Sequence, residues 1–184
     1  RTLLLLCLFL TTADPSRRRL IGKQALLKEQ KDGILDSASL LKELEESLPD
    51  VKELYFAGGE PLLFKENIEI LKALDAQGKY DEKIVYNTNG TLLHMDSFIE
   101  RWKKFRDVTV LLSMDGSHKR GEYLRTGIVW NELENNLRRL KEECPHLKIL
   151  INFTVSAFNI FHLADFHKEM VEKGLIRSDQ LNLN

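Results

Sequence analysis

The chain has few of the residues that most often define a cofactor site. Only two cysteines occur among its 184 residues, Cys7 and Cys144, and they lie far apart. This count excludes a disulfide framework, and the spacing is not that of a metal site. A reducing, cytoplasmic setting is therefore expected. The phosphate-loop and dinucleotide-binding glycine motifs are also missing, which argues against nucleoside-triphosphate and nicotinamide sites.

Neither charge nor hydropathy indicates a nucleic-acid or membrane partner. The formal net charge is -1, with 43% hydrophobic and 30% charged residues, as in a soluble globular domain. The apolar run over residues 3–10 is too short to span a bilayer. Residues 1–20 stay unassigned, because this run is typical of a buried first strand and equally of out-of-frame translation. A start at Arg1 indicates a fragment or a processed chain.

A metal hydrolase is a competing hypothesis, because the chain has five histidines. His162 and His167 are five residues apart, which places them on different faces of a helix. No His-x-Glu-x-His-like cluster occurs. The histidines are therefore predicted to be scattered over the surface.

Strand and helix patterns alternate along the chain. Near-continuously apolar, β-branched or aromatic segments predict strands at 53–57, 83–87, 108–113 and 147–155, with a last strand from Leu181. Apolar residues at helical spacing predict helices over 35–48 and around 68–74, 95–105, 133–140 and 163–170. This alternation indicates an α/β fold with βαβ units and a parallel sheet. About five strands are too few for a closed eight-stranded barrel, so a partial barrel or a doubly wound sheet remains.

The sequence Leu-Tyr-Phe-Ala-Gly-Gly-Glu-Pro over residues 54–61 is the most informative segment. Gly58 and Gly59 allow a turn with positive φ and a close approach to the backbone. Glu60 stands at the carboxyl end of the strand, where α/β folds place ligands, and Pro61 ends strand pairing. Exposed carbonyls and a carboxylate suit a ligand that carries an ammonium group. The alternative is a tight turn between strand and helix with no ligand.

The next strand ends in Asn87-Thr88-Asn89 followed by Gly90. Its side chains offer hydrogen-bond donors and acceptors, and the glycine permits a turn. They are candidates for ligand contacts. The alternative is an Asx-type turn that caps a helix.

Polar residues also follow the two later strands. Ser113 and Asp115 alternate on the pleat, so a hydroxyl and a carboxylate face one side and suit ribose hydroxyls or an amine, unless Asp115 caps a turn. Arg125 suits a carboxylate, unless it is an ordinary surface arginine. Asn152 and Thr154 are two apart on an apolar strand, so they either satisfy each other or face the ligand.

These four strand ends resemble those of the radical S-adenosylmethionine (SAM) enzymes, and most closely the subgroup with a SPASM or twitch extension. The resemblance runs from about residue 51 to 184. It implies that residues 21–184 form part of a radical SAM core domain. The implied fold is a partial (βα)6 TIM-like barrel, incomplete at both ends.

The resemblance also implies a SAM site at these strand ends. The two glycines and Glu60 would hold the methionine amine of SAM, and Arg125 its carboxylate. Ser113 and Asn87 would position SAM, and Asp115 would lie near the reacting centre. The full set of implied contacts is Gly58, Gly59, Glu60, Pro61, Asn87, Thr88, Asn89, Ser113, Arg125, Asn152 and Thr154.

The chain departs from the family at the iron–sulfur cluster. Family members hold a 4Fe–4S cluster through Cys-x3-Cys-x2-Cys, which this sequence lacks. Cys144 is expected at the exposed end of a helix. No metal ligand is therefore assigned, and the cluster is expected only in a full-length parent. For that parent the resemblance implies an electron donor such as a flavodoxin or ferredoxin, cleavage of SAM at the reduced cluster, and a 5′-deoxyadenosyl radical that takes hydrogen from a peptide, protein or small-molecule substrate.

Two alternatives remain open for the chain as written, which by itself is expected to be inactive. One is a cluster-free, non-catalytic SAM-binding module. The other is an unrelated α/β barrel enzyme, which would need a Schiff-base lysine or a metal at a strand end. Lys83 and Lys148 disfavour that reading, because they lie at strand starts.

Overall fold

The computed structural model describes residues 51–184 in full. Of the preceding residues it describes only the backbone of two strands, β1 (Cys7–Thr12) and β2 (Arg19–Leu20). The helix predicted over 35–48 lies outside the described residues. Residues 7–10 of the unassigned apolar run over 3–10 belong to β1, as its interpretation as a first strand would have it.

One seven-stranded sheet organises the fold. The later strands are β3 (Val51–Ala57), β4 (Lys83–Thr88), β5 (Asp107–Ser113), β6 (Lys148–Phe153) and β7 (Leu181–Leu183), and the spatial order is β2-β1-β3-β4-β5-β6-β7. Strands β3 to β7 are all parallel, which confirms the predicted parallel sheet. Strand β1 instead runs antiparallel to β3, with Cys7 opposite Ala57. The βαβ rule therefore applies to the five later strands only.

Five helices lie along the described part of the chain: α1 (Lys65–Ala76), α2 (Asp96–Trp102), α3 (His118–Leu124), α4 (Trp130–Glu143) and α5 (Leu163–Glu172). Single turns of 3₁₀ helix occur at Pro61–Leu63 and Ile160–His162. Four of the helices confirm the predicted stripes, whereas α3 was not predicted. Strand β6 ends at Phe153, earlier than predicted, so Thr154 lies in the following loop.

Helices α1, α2, α4 and α5 pack on one face of the sheet. Tyr86 of β4 touches Phe98 and Trp102 of α2, with ring centroids 5.7 and 5.3 Å apart. Phe153 of β6 likewise lies 5.2 Å from Phe166 of α5. These side chains belong to the buried half of the alternating strand pattern, which forms the core. The other half points to the opposite face, which the described helices leave uncovered.

No helix within residues 51–184 combines the length and the apolar character that crossing a bilayer requires.

Candidate functional site

A row of polar side chains crosses the helix-free face where the parallel strands end. Ser113 is in register with Asn152, and Asn152 with Asn182. The Ser113 hydroxyl donates to Asn87 Oδ1 at 3.3 Å, and Asn182 Nδ2 donates to Asn152 Oδ1 at 3.2 Å. The structure thus brings three predicted contacts together and adds Asn182, which the short strand pattern after Leu181 did not single out.

Glu60 is the buried acid of this edge, with 6% of its surface exposed. Its carboxylate accepts hydrogen bonds from Thr88 Oγ1 at 2.7 Å, from the Asn89 N–H at 2.9 Å and from the Leu62 N–H at 3.2 Å. These bonds connect the end of β3 with the end of β4. A carboxylate has about four lone-pair positions, so one acceptor position remains for a ligand cation.

The two glycines before Glu60 have the conformation that the sequence predicts. Their φ angles are +90° at Gly58 and +53° at Gly59. Gly59 is exposed and Gly58 half-buried, so the main chain here is open to a ligand. Pro61 begins the following 3₁₀ turn, and its carbonyl accepts from Asn67 Nδ2 at 2.7 Å.

Two of the predicted contacts after β4 serve the turn itself. Asn89 Oδ1 accepts from the N–H and the hydroxyl of Thr91, at 2.9 and 2.7 Å. This is the Asx-type turn that the sequence left as an alternative. Thr88 is 2% exposed and donates to the Glu60 carboxylate, so it helps to fix the position of Glu60 and is too buried to contact a ligand itself. Of this segment, Asn87 is the residue whose side chain lies in the polar row.

Asp115 and Arg125 form an ion pair beside the polar row. The Arg125 Nε atom lies 2.8 Å from Asp115 Oδ2, and Asp115 Oδ1 accepts from the Thr154 N–H at 2.9 Å. The guanidinium N–H is not aligned with the carboxylate, however, so Nε is a buried donor without a hydrogen-bonded acceptor. The Asp115 carboxylate therefore covers Nε, and the 27% of the Arg125 side chain that is exposed is what a ligand could reach.

A second network joins the start of α3 to α5 and to the 3₁₀ turn before it. The Ser117 hydroxyl donates to Glu169 Oε2 at 2.8 Å and lies 3.2 Å from His162 Nε2, while His118 Nε2 lies 2.7 Å from Glu169 Oε1. Burial and the nearby Arg120 lower the pKa of His162. The prediction of scattered surface histidines is therefore wrong for His162, which is half-buried and bonded.

The residues of this chain do not fit an iron–sulfur cluster. Within residues 51–184 no three His, Cys, Asp or Glu side chains are arranged to hold a metal. Cys144 is 1% exposed, and burial raises the pKa of its thiol. Its predicted position at an exposed helix end is wrong, because the side chain packs into the core, with Sγ 3.8 Å from the Ile99 carbonyl. The two thiols of the sequence cannot supply three ligands.

Comparison with known families decides which family this strand-end site belongs to. The sequence matches the model of the Radical SAM superfamily over residues 10–156. The chain belongs to the Radical SAM superfamily. This membership removes the alternative of an unrelated α/β barrel enzyme. No match was found among curated proteins.

Solved structures similar to this radical SAM chain share its fold. SuiB of Streptococcus suis, bound to the precursor peptide SuiA, aligns with a TM-score of 0.57 and 20% identity over 81% of this chain and 32% of SuiB. Native anSMEcpe with bound AdoMet aligns with a TM-score of 0.58 and 24% identity, over 83% and 43% of the two chains. SuiB bound to S-adenosylmethionine gives 0.56 and 18%, over 88% and 42%. The chain therefore spans less than half the length of these structures.

Proposed function

We propose that this chain carries the SAM-binding part of a radical SAM active site. The observation that carries the proposal is the set of polar groups at the carboxyl ends of β3 to β6: the polar row, the Glu60–Thr88 bond and the Asp115–Arg125 pair. Carboxyl strand ends of α/β barrels are the usual place for a ligand. The chemistry of these groups also matches SAM, which has an ammonium group, a carboxylate and ribose hydroxyls.

Each group has a distinct binding role in this proposal. Glu60 and the carbonyls of the preceding glycines receive the ammonium group, because Glu60 keeps an acceptor position after its three internal bonds. Arg125 binds the carboxylate through the exposed part of its guanidinium, while its Nε faces Asp115. Ser113 and Asn87 supply the hydroxyl and amide for the ribose. Asp115 keeps Arg125 in place and balances its charge.

The radical reaction itself belongs to a protein that has a cluster. In the superfamily a bound 4Fe–4S cluster supplies the electron that cleaves SAM. The thiols of this chain do not fit that cluster, so the role of the chain is to bind and orient SAM. This role applies to a fragment of a radical SAM enzyme, and it applies equally to the alternative of a cluster-free SAM-binding module.

We further propose a peptide or protein segment as the substrate class of the complete enzyme. Apolar side chains are exposed in the segment after β6, whose first residue, Thr154, bonds to Asp115. Phe161 is 94% exposed and Phe158 67%, and Arg120 of α3 bonds to the Phe158 carbonyl at 2.7 Å. Exposed apolar groups beside a site are typical of interaction surfaces. The similar SuiB was solved with a precursor peptide bound.

The test is a calorimetric titration of the 184-residue chain with SAM and with 5′-methylthioadenosine, which lacks the amine and the carboxylate. Wild type is expected to bind SAM more tightly. Arg125→Gln should weaken SAM binding about tenfold or more, because a charge-assisted hydrogen bond contributes about 1.5–3 kcal/mol. It should leave 5′-methylthioadenosine binding unchanged.

Arg106→Gln is the matched control. Arg106 is 76% exposed, pairs with Asp81 and lies at the amino end of β5, on the opposite edge of the sheet. It should bind both ligands like wild type. An equal loss of both ligands in Arg125→Gln would contradict the carboxylate contact. A wild-type chain that does not bind SAM would contradict the proposed function itself.

A further inference from the structure

Asn159, in the loop after β6, is a buried polar residue with every side-chain polar atom in use. It is 1% exposed. Its Nδ2 donates to the carbonyls of Thr154 and Asp115, at 2.8 and 3.2 Å. Its Oδ1 accepts from the Ser156 N–H at 2.7 Å. Because an unpaired buried amide is costly, this fully bonded arrangement fixes the positions of its partners.

These bonds connect two strand ends. Asp115 follows β5 and Thr154 follows β6, and the Thr154 N–H donates to the Asp115 carboxylate at 2.9 Å. Arg125 lies against the other carboxylate oxygen at 2.8 Å. Asp115 is thus held at three points, and the bond from Asn159 is the one that holds its main chain. That bond does not depend on the charge of the carboxylate.

We propose that Asn159 is a positioning residue that holds the ends of β5 and β6 together before SAM binds. It fixes Asp115 and Thr154, and through Asp115 it fixes Arg125. A group that is ordered in advance loses less conformational freedom on binding, which raises affinity. Asn159 itself is too buried to touch a ligand. The inference rests on the proposed SAM site.

The test removes the two Nδ2–H donors of Asn159 and keeps the shape of its side chain. Asn159→Asp retains the Oδ1 acceptor and removes both Nδ2–H bonds. Asn135→Asp is the matched control, since it makes the same charge change on an exposed position of α4. SAM affinity is measured by calorimetry, and amide exchange of Thr154 and Ser156 by NMR. The amide of Ile151 in β6, which donates to the Gln180 carbonyl at 2.8 Å, is the internal reference.

Asn159→Asp is expected to weaken SAM binding about tenfold, because two buried hydrogen bonds are lost. It should speed exchange at Thr154 and leave Ser156, whose Oδ1 acceptor is retained, and Ile151 unchanged. Asn135→Asp should change none of these. The inference is overturned if Asn159→Asp only lowers the unfolding midpoint while its folded fraction binds SAM like wild type.

If Asn159→Asp does not fold, amide hydrogen exchange in the wild type tests the inference instead. Protected Thr154 and Ser156 amides support the inference, and exchange at the rate of a free loop overturns it. Failure of the proposed function looks different. In that case the wild type itself does not bind SAM, which overturns the positioning role together with the site.

Discussion

Gly90 lies where both conformation and space require glycine. Its φ is +83°, and an added Cβ would lie 2.5 Å from Leu112 Cδ1 and 2.9 Å from Leu133 Cδ1. Both leucines are buried, so neither can move freely. We expect Gly90→Ala to lower the free energy of unfolding by about 2–4 kcal/mol, because left-handed strain and overpacking add. Urea unfolding followed by circular dichroism measures this loss.

Gly78→Ala separates the cost of left-handed backbone strain from the cost of overpacking. Gly78 also has positive φ, +67°, but nothing lies within 4 Å of its added Cβ. This variant should lose only the conformational part, about 1–2 kcal/mol. Equal losses at the two glycines would show that the leucines yield without cost.

The residue scale also shows where reasoning from the sequence succeeded. The Gly-Gly-Glu-Pro segment after an apolar strand correctly predicted positive φ at Gly58 and Gly59. The sequence could not reveal that Glu60 would bond to Thr88, because that contact joins residues 28 positions apart. Arg125 is similar. Its pairing with Asp115 depends on how α3 packs, which no local pattern contains.

At the scale of elements, hydrophobic periodicity predicted the parallel strands and four helices, but not α3. Strands β3 to β6 and the four helical stripes bury one regular face, so their period is visible in the sequence. Helix α3 has seven mostly polar residues and a central glycine. An added Cβ at Gly121 would lie 2.5 Å from the Gly116 carbonyl oxygen. Its position is therefore set by tertiary contact rather than by an apolar stripe.

The bridge between α3 and the 3₁₀ turn before α5 predicts a dependence of stability on pH. His162 Nε2 accepts from the Ser117 N–H at 3.4 Å, so the neutral ring is the bonded form. Burial and Arg120 lower the pKa of His162 below its ordinary value of 6.5, against the opposing pull of Asp165 and Glu169, and His118 also lowers it. The unfolded chain then binds more protons than the folded chain just below pH 6.5.

The stabilising contribution of His162 is therefore complete above its ordinary pKa and is lost as pH falls towards the lowered folded value. We expect the free energy of unfolding of the wild type to drop more between about pH 7.5 and about pH 5.5 than that of His162→Gln. Urea unfolding at both pH values measures the difference. His94→Gln, at an exposed position, should fall in parallel with the wild type. Parallel slopes for His162→Gln would exclude this role.

At the scale of the molecule, the sheet explains why a site can exist without a cluster. The polar row, Glu60 and Arg125 are carried by strands β3 to β6 and the loops that follow them, all within residues 51–184. Their geometry depends on parallel register and on a helix layer that packs on one face only. The residues of the proposed SAM site are different from the cysteines that hold a cluster in this superfamily, so SAM binding by this chain can be tested without a cluster.

Anaerobic reconstitution with iron and sulfide tests whether SAM binding by this chain is independent of a cluster. A 4Fe–4S cluster in this superfamily needs three thiolates, and the chain has two cysteines, of which Cys144 is buried with a raised pKa. We expect substoichiometric iron, no electron paramagnetic resonance signal of a reduced cluster, and SAM affinity that is the same with and without treatment. Cys7→Ser and Cys144→Ser, as controls, should leave SAM affinity unchanged. A stoichiometric cluster whose assembly tightens SAM binding would contradict this, because it would mean that the chain recruits ligands other than three cysteines and can perform the reductive step itself.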